Sequence, residues 1–294
     1  MEKRKKLSVV IATYNEEKNI GECLDFVKDI ADEIIIVDGS STDKTREIAK
    51  KYGAKVIKTT NPPIFHINKQ KALEEASSEW ILQLDADERV SKNLAKEIIE
   101  VINMNDGELE KYEGFVLVNK LFLRHQKLLE KRDGFIGTKE GKYAAFFFPR
   151  LNFFLGKYIK HGGVYPDGVI RLVKNGKSRF PAKSVHEQIV IDGRVGWLKH
   201  DLFHYDSPTF ERYLFRNSKY IGLIANELDQ HNVGKNIFQL INYLFIKPIY
   251  WFLLTQIRHK GILDGWRGVI FSFFSALRFP RAYLRYLKKV KTKD

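Results

Sequence analysis

A single cysteine, Cys23, stands in a chain of 294 residues. No internal disulfide is possible, so the fold must be held by its core, and a reducing cytoplasm suits such a chain. Acidic residues are missing from one long stretch. Between Gly265 and Lys293 there is no Asp or Glu, while Arg267, Arg278, Arg281, Arg285, Lys288, Lys289, Lys291 and Lys293 all fall there. The net charge of +14 is therefore partly a property of the C-terminal region, either as a solvated tail or as a surface for an anionic partner. A clean apolar run of membrane-crossing length is also lacking. Ile237 to Ile257 approaches that length, but Gln239, Asn242, Lys247, Pro248 and Gln256 interrupt it, and a central lysine is costly in a bilayer. Leu7 to Ala12 is too short for a secretory apolar segment, so no signal peptide is expected. There is no internal repeat, helix-turn-helix, zinc spacing or RNA-recognition motif. Nucleic acid is thus not expected as a partner, although a basic nucleic-acid-binding protein remains the alternative of a different class. Ala12 to Glu17 contains no glycine, which argues against the Gly-rich phosphate loop of a nucleotidyltransferase.

What is present reads as strands alternating with helices. Leu7 to Ala12 is an apolar, β-branched run that predicts a buried strand, and Glu33 to Val37, Ala54 to Ile57 and Trp80 to Leu84 predict three more. Between them, Ile20, Leu24, Val27 and Ile30 recur at helical spacing. Lys44 to Tyr52 reads as a helix capped by Thr42 or Asp43, and Lys69 to Ala76 as another. Ser91 would cap a further helix running to about Ile102. Such alternation predicts an α/β fold with a parallel sheet covered on both faces. Ligands in such sheets bind beyond the carboxyl ends of the strands. Asn15-Glu16, Asp38 and Asp85/Asp87 all stand at those ends.

Further along, Tyr112 to Tyr205 reads as short strands and Gly-rich loops, with strands at Gly168 to Val173 and Ile189 to Ile191. A helix is expected from Pro208 to about Asp229, and the chain beyond Asn236 is strongly apolar and aromatic. Two amphipathic helices lying in a membrane interface fit that last stretch better than a span. Helices packed within the protein are the competing reading. Lysines, arginines and aromatics together suit an anionic cytoplasmic leaflet.

Asp85-Ala86-Asp87 carries the chemistry. A hard divalent cation takes carboxylate oxygens, and Mg²⁺ or Mn²⁺ often bridges one or two carboxylates to a ligand's phosphates. It would act as Lewis acid on a departing diphosphate. The alternative is a helix-capping loop with exposed acids.

Ser8-Val-Val-Ile-Ala-Thr-Tyr-Asn-Glu-Glu-Lys-Asn-Ile20, Ile36-Val-Asp-Gly-Ser-Ser-Thr-Asp-Lys-Thr45 and Leu84-Asp-Ala-Asp-Glu-Arg-Val90 resemble, in order and spacing, family 2 glycosyltransferases of the GT-A fold. Tyr165-Pro-Asp-Gly-Val-Ile-Arg-Leu172 and Val185-His-Glu187 are similar to the branch with lipopolysaccharide-core β-glucosyltransferases. The resemblance implies a GT-A, Rossmann-like nucleotide-sugar domain with a mostly parallel central sheet, followed by C-terminal amphipathic helices. Its nucleotide-sugar half would be residues 1–110, its acceptor-binding half 111–232, and the membrane-associating helical region 233–294.

By the same resemblance, Ala12, Thr13, Tyr14 and Glu16 would line the nucleotide pocket. Asp38 would accept from the nucleobase imide or ribose, and Asp85 with Ala86 would sit by the ribose and metal. Asp87 would be the principal ligand of Mn²⁺ or Mg²⁺, and His204 a second one. Carboxylates suit these roles because they only accept hydrogen bonds. Glu16 could instead answer a helix dipole, Asp38 could be a turn residue, and His204 could be packed. Before the metal motif, the family's frequent Gly-rich or Arg-bearing helix start is here His66-Ile-Asn-Lys-Gln-Lys71, so that Lys69 or Lys71 would approach the diphosphate. Arg171 would bind the diphosphate or hold the acceptor. Glu187 is the expected base for an inverting transfer, with His186 as its rival; a structural His-Glu pair is the alternative. The donor would be a nucleotide-diphospho-sugar, UDP first, and the acceptor a glycan or lipid-linked molecule. Transfer to a polyprenyl phosphate is a further alternative.

Overall fold

The computed structural model describes residues 6–116, 119–181 and 188–291. The chain forms two compact units, residues 1–150 with 166–204 and residues 151–165 with 205–294. These units cut across the expected boundaries at 110 and 232.

The first unit is built on a mixed sheet. Strands β1 (Leu7–Thr13), β2 (Glu33–Asp38), β3 (Lys55–Lys58) and β4 (Trp80–Leu84) are mutually parallel in the order β3-β2-β1-β4. Helices α1 (Ile20–Asp25), α2 (Thr45–Lys51) and α3 (His66–Glu74) connect them. Alternate residues of β1 serve opposite faces, as the two-residue period of a strand requires. Val9 and Ile11 join a core with Ile20, Leu24, Leu82 and Leu84, whereas Val10 joins Ile35, Val37, Ala72 and Ile81.

Beyond β4, β5 (Glu88–Val90), β6 (Tyr143–Phe154), β8 (Asp167–Lys174) and β12 (Leu202–Ser207) extend the sheet in the order β4-β8-β6-β12-β5. Here β8 is antiparallel to both β4 and β6. β11 (Arg194–Trp197) runs parallel to β6, and β7 (Lys157–Ile159) forms a hairpin with the end of β6. β9 (Ser178–Arg179) and β10 (Val190–Ile191) make a separate small ribbon.

Helix α4 (Lys92–Asn103) starts where the sequence places its cap: the Leu94 amide donates to Ser91 Oγ at 3.2 Å. Two helices are new: α5 (Asp106–Val116), which begins ahead of the segment from Tyr112 read as strands and loops, and α6 (Lys120–Asp133), which lies within it. Asn119 caps α6 through the Leu121 amide, and Gly134 ends it at a φ of +82°, open only to a residue without a side-chain clash.

The second unit holds α7 (Phe210–Gln230), capped by Thr209, together with α8 (Ile237–Arg258), α9 (Trp266–Ala276) and α10 (Arg278–Lys291). Ile221, Ala225 and Leu228 of α7 pack on Ala282, Tyr283 and Tyr286 of α10. The pair of helices expected in the apolar stretch is a single continuous helix. The reason lies in the backbone: the turn Asn242–Ile246 is a π turn, and the Lys247 amide reaches back to the Asn242 carbonyl. A widened turn just before Pro248 accommodates a ring that a regular α turn would exclude. By length and composition α8 could cross a membrane.

Candidate active site

Two loops at the carboxyl ends of β1 and β2 are laced together. The Asn15 amide donates to Ser41 Oγ at 2.8 Å, and the Thr42 amide donates to Asn15 Oδ1 at 2.8 Å. The Glu16 amide donates to Thr45 Oγ1 at 2.8 Å, and the Glu17 amide to Asp43 Oδ2 at 3.0 Å. Asn15 adopts a φ of +54° to make this possible, a conformation that asparagine tolerates better than most residues. Asp43 also accepts from the Thr45 amide at 3.0 Å, but the N-cap position of α2 is Lys44, without a side-chain cap, just beyond the expected Thr42 or Asp43. Burial works against its charge, but these hydrogen bonds bring its pKa down.

Asp38 is fully buried. Its carboxylate accepts from the Ser41 amide at 2.9 Å and from Thr13 Oγ1 at 3.1 Å, with Arg46 Nε at 3.4 Å. In this arrangement Asp38 organises the loop from within. Ala12 and Glu16 are partly exposed, Thr13 is buried and Tyr14 is exposed. Glu16 accepts from Asn19 Nδ2 at 2.7 Å.

The acidic turn after β4 forms the second half of the site. The Glu88 amide donates to the Asp85 carbonyl at 2.9 Å, and the Asp85 amide donates back to Glu88 Oε2 at 3.0 Å. This closes a tight turn with Ala86 buried inside it. Glu88 is itself fully buried and needs compensation, because an unpaired buried charge is costly. Arg171, from β8, supplies it with Nε and Nη2 at 2.9 and 2.8 Å. The same guanidinium donates to Gln83 Oε1 at 2.8 Å and to Asp85 Oδ2 at 2.6 Å.

Lys69 of α3 meets the other Asp85 oxygen at 2.5 Å. Burial alone would raise the Asp85 carboxyl, but Arg171 and Lys69 hold it well below the usual carboxylate range. Burial disfavours the charge on Arg171, yet Asp85 and Glu88 push its pKa up. On Lys69 burial wins and the pKa is lowered, against the pull of Asp85. Arg150 adds a further positive charge, 3.4 Å from Glu88, and is itself held by Asp167 at 2.6 Å.

Asp87 points elsewhere in the turn. Its Oδ2 lies 3.6 Å from His204 Nε2, on β12, and both side chains are largely buried. The carboxylate oxygen is a suitable donor for Mn²⁺ or Mg²⁺, while the imidazole nitrogen is the softer donor of the two. Among the described residues no three His, Cys, Asp or Glu side chains form a ready metal centre. A two-residue set nevertheless fits these ions, which keep several waters and take further oxygens from substrate phosphates.

Thus Asp85, Ala86, Asp87, Arg171 and His204, to which the resemblance gave donor and metal roles, lie together at one end of the sheet. Of the two lysines weighed on the His66–Glu74 helix, it is Lys69 that meets Asp85. It shares the buried side of that helix with His66, Ala72 and Leu73, while Lys71 is only half-buried. Glu88, Gln83, Arg150 and Asp167 were not singled out from sequence. Glu88 had a visible signal, since it stands in the motif itself. Glu187 and His186 lie outside the described residues.

The model of glycosyl transferase family 2 matches residues 8–155. The lipopolysaccharide core biosynthesis glycosyltransferase LpsC of Rhizobium meliloti is 26% identical, across 97% of this chain and 94% of that protein. An uncharacterized glycosyltransferase of Rickettsia typhi is also 26% identical, across 94% and 86%. Among solved structures, glucosyl-3-phosphoglycerate synthase of Mycobacterium tuberculosis with Mn²⁺ and UDP-glucose is 23% identical over 35% of this chain and 41% of that one, with a TM-score of 0.31. The family match runs over half of the chain and over the very strands whose ends carry these loops, so the chain belongs to glycosyl transferase family 2 and is a glycosyltransferase of the GT-A α/β fold.

Proposed function

We propose that the chain moves a sugar, with inversion, from a nucleotide-diphospho-sugar to a glycan or lipid-linked acceptor in cell-envelope polysaccharide or lipopolysaccharide assembly. A UDP-sugar is the first donor to test, with glucose as its first sugar, and the cytoplasmic face of the membrane is the expected location. One observation carries the reading: Asp87 and His204 face each other at the end of the sheet beside an Asp85 clamped by two cations. The name of the Rhizobium relative supports the envelope assignment.

In this reading Asp87 and His204 hold Mn²⁺ or Mg²⁺, which supplies Lewis-acid neutralisation of a diphosphate when bound. Lys69 and Arg171, already desolvated, add fixed positive charge for the phosphate oxygens. The loops holding Ala12, Thr13, Tyr14, Glu16 and Asp38 would frame the nucleoside, with Lys71 at the pocket's margin. Glu187, or His186 in its place, takes the proton of the acceptor hydroxyl as that oxygen attacks the anomeric carbon and the bond to the diphosphate breaks. The segments 1–110, 111–232 and 233–294 would then contribute donor binding, acceptor binding and membrane association. A polyprenyl phosphate is the second acceptor to test, favoured by the apolar exterior of α8.

A paired assay tests the reading. Asp87→Ala should lose metal-dependent UDP binding while the fold survives, and undiminished binding would remove Asp87 from its role. Glu187→Gln should keep UDP binding and lose turnover by about 100-fold or more, as expected for loss of a general base. If that variant turns over normally while His186→Ala does not, the base is His186.

A further inference from the structure

The outer face of α8 is apolar along its whole length. Phe238 is 79% exposed and Ile257 71%, with Phe245, Ile249 and Tyr250 exposed between them. The polar groups are on the inside. Thr255, Gln256 and Ser272 are buried where α8 meets α9. There Gln256 Nε2 donates to the Gly268 carbonyl at 2.9 Å and to Ser272 Oγ at 2.6 Å. Gly268 lets α9 pack against the turn that joins it to α8, since a side chain there would strike the Gly261 carbonyl. In water this order of polar inside and apolar outside is unfavourable; against lipid it is the normal one, in which small and polar residues join helices and apolar residues face out.

On α7 of the same unit the pattern is mixed: Ile221, Ala225 and Leu228 lie inside and Lys219 and Glu227 outside, but Phe215 and Tyr220 are exposed and Asn217 is buried. Two further observations fix the occupant. Arg281, Arg285 and Lys288 are exposed on α10, in a stretch without a single acid, so the charge complements an anionic surface. Lys247, in the middle of α8, is not on the apolar face but lies 3.7 Å over the buried Tyr243 ring. A charge at that depth opposes a span and leaves the apolar face free to lie in the interface.

We infer that α8 and α9 form an inverted hairpin that seats flat in the interface of an anionic bilayer, with the cations of α10 on its headgroups. This does not rest on the transfer reaction, because docking needs no donor.

The test uses the full chain with vesicles of phosphatidylcholine alone or mixed with phosphatidylglycerol. Binding to the anionic vesicles should be at least about tenfold tighter than to the neutral ones and should weaken at high salt, since only the electrostatic part is screened. Phe245→Glu with Ile249→Glu should reduce it by about tenfold or more, while UDP binding, read in parallel, stays as in the parent. That parallel measurement separates a failure of docking from a failure of the transferase reading. On the unaltered chain, Trp251 and Trp266 should be quenched by lipids brominated near the headgroup more than by lipids brominated at the chain end. A folded chain that ignores anionic vesicles at low salt overturns the inference. So does a dimer dissolved by the same two glutamates, which would give the face to a second copy, or quenching strongest at the bilayer centre, which would make α8 a span.

Discussion

The two units solve the problem of buried polarity in opposite ways. In the first, Glu88 is fully buried and Asp85 partly so, and Arg171, Arg150 and Lys69 meet them at distances between 2.5 and 3.4 Å. In the second, the inside of the α8–α9 hairpin holds neutral groups, Thr255, Gln256 and Ser272, while phenylalanine and isoleucine face outward. A buried charge cluster is retained at a cost in desolvation, which on the proposed function would suit a surface that meets a diphosphate. Buried neutral amide and hydroxyl groups need only short hydrogen bonds, and they join helices without requiring water outside them. On the proposals above, the units are adapted to different surroundings, an aqueous ligand site in one and an apolar phase in the other.

The comparison is tested most severely at Arg171. Arg171→Met removes the guanidinium that serves Asp85, Glu88 and Gln83 together, leaving Glu88 buried with the Asp85 amide and the longer contact to Arg150. Loss of one partner from such a cluster should cost about 3–5 kcal/mol, read as a lowered urea midpoint for the first unit. Adding Glu88→Met should recover part of that loss, because the stranded charge is then gone. If the single variant unfolds at the parent's urea concentration, the cluster is not held as the distances indicate. If the double variant is worse than the single, charge burial is not the dominant cost.

How much of this could be read from the chain alone follows from the range of each signal. Trp80–Leu84 and the Ser91 cap were legible to the residue, because a buried strand and an N-cap are written in consecutive positions. Asp87 and His204 were paired through family resemblance, since nothing local joins residues so far apart in sequence. Arg150, 62 positions from Glu88, was invisible for that reason. Choosing Lys69 over Lys71 needed the phase of α3, and a mis-set helix start at Lys69 instead of His66 hid it. α5 escaped because Gly107, Gly114 and a charged composition give it weak periodicity. The apolar run at α8 was plain. Which of its faces points inward was not, because that depends on the glycines and serines of α9.

A smaller effect is expected at one of those glycines. In an isolated helix Gly→Ala is stabilising by about 1 kcal/mol, so propensity alone predicts that Gly268→Ala strengthens α9. The packing predicts the reverse. A Cβ built at Gly268 falls 1.9 Å from the Gly261 carbonyl oxygen and 2.9 Å from its carbon, and neither can swing aside as a long side chain would. Relief must come from α9 moving away from the turn at Gly261, which lengthens the bonds from Gln256 to Gly268 and Ser272. Overpacking of this kind costs about 1–3 kcal/mol. The change should be seen as faster amide hydrogen exchange in α8 and α9, with UDP affinity unaltered, since the residues proposed to hold the donor belong to the first unit. Val269→Ala, on an exposed neighbour, is the matched control and should change exchange little, within about 0.5 kcal/mol. Exchange in Gly268→Ala as slow as in the parent, or slower, would mean that the hairpin does not depend on close backbone approach, and the contrast drawn between the two units would lose its structural basis in the second.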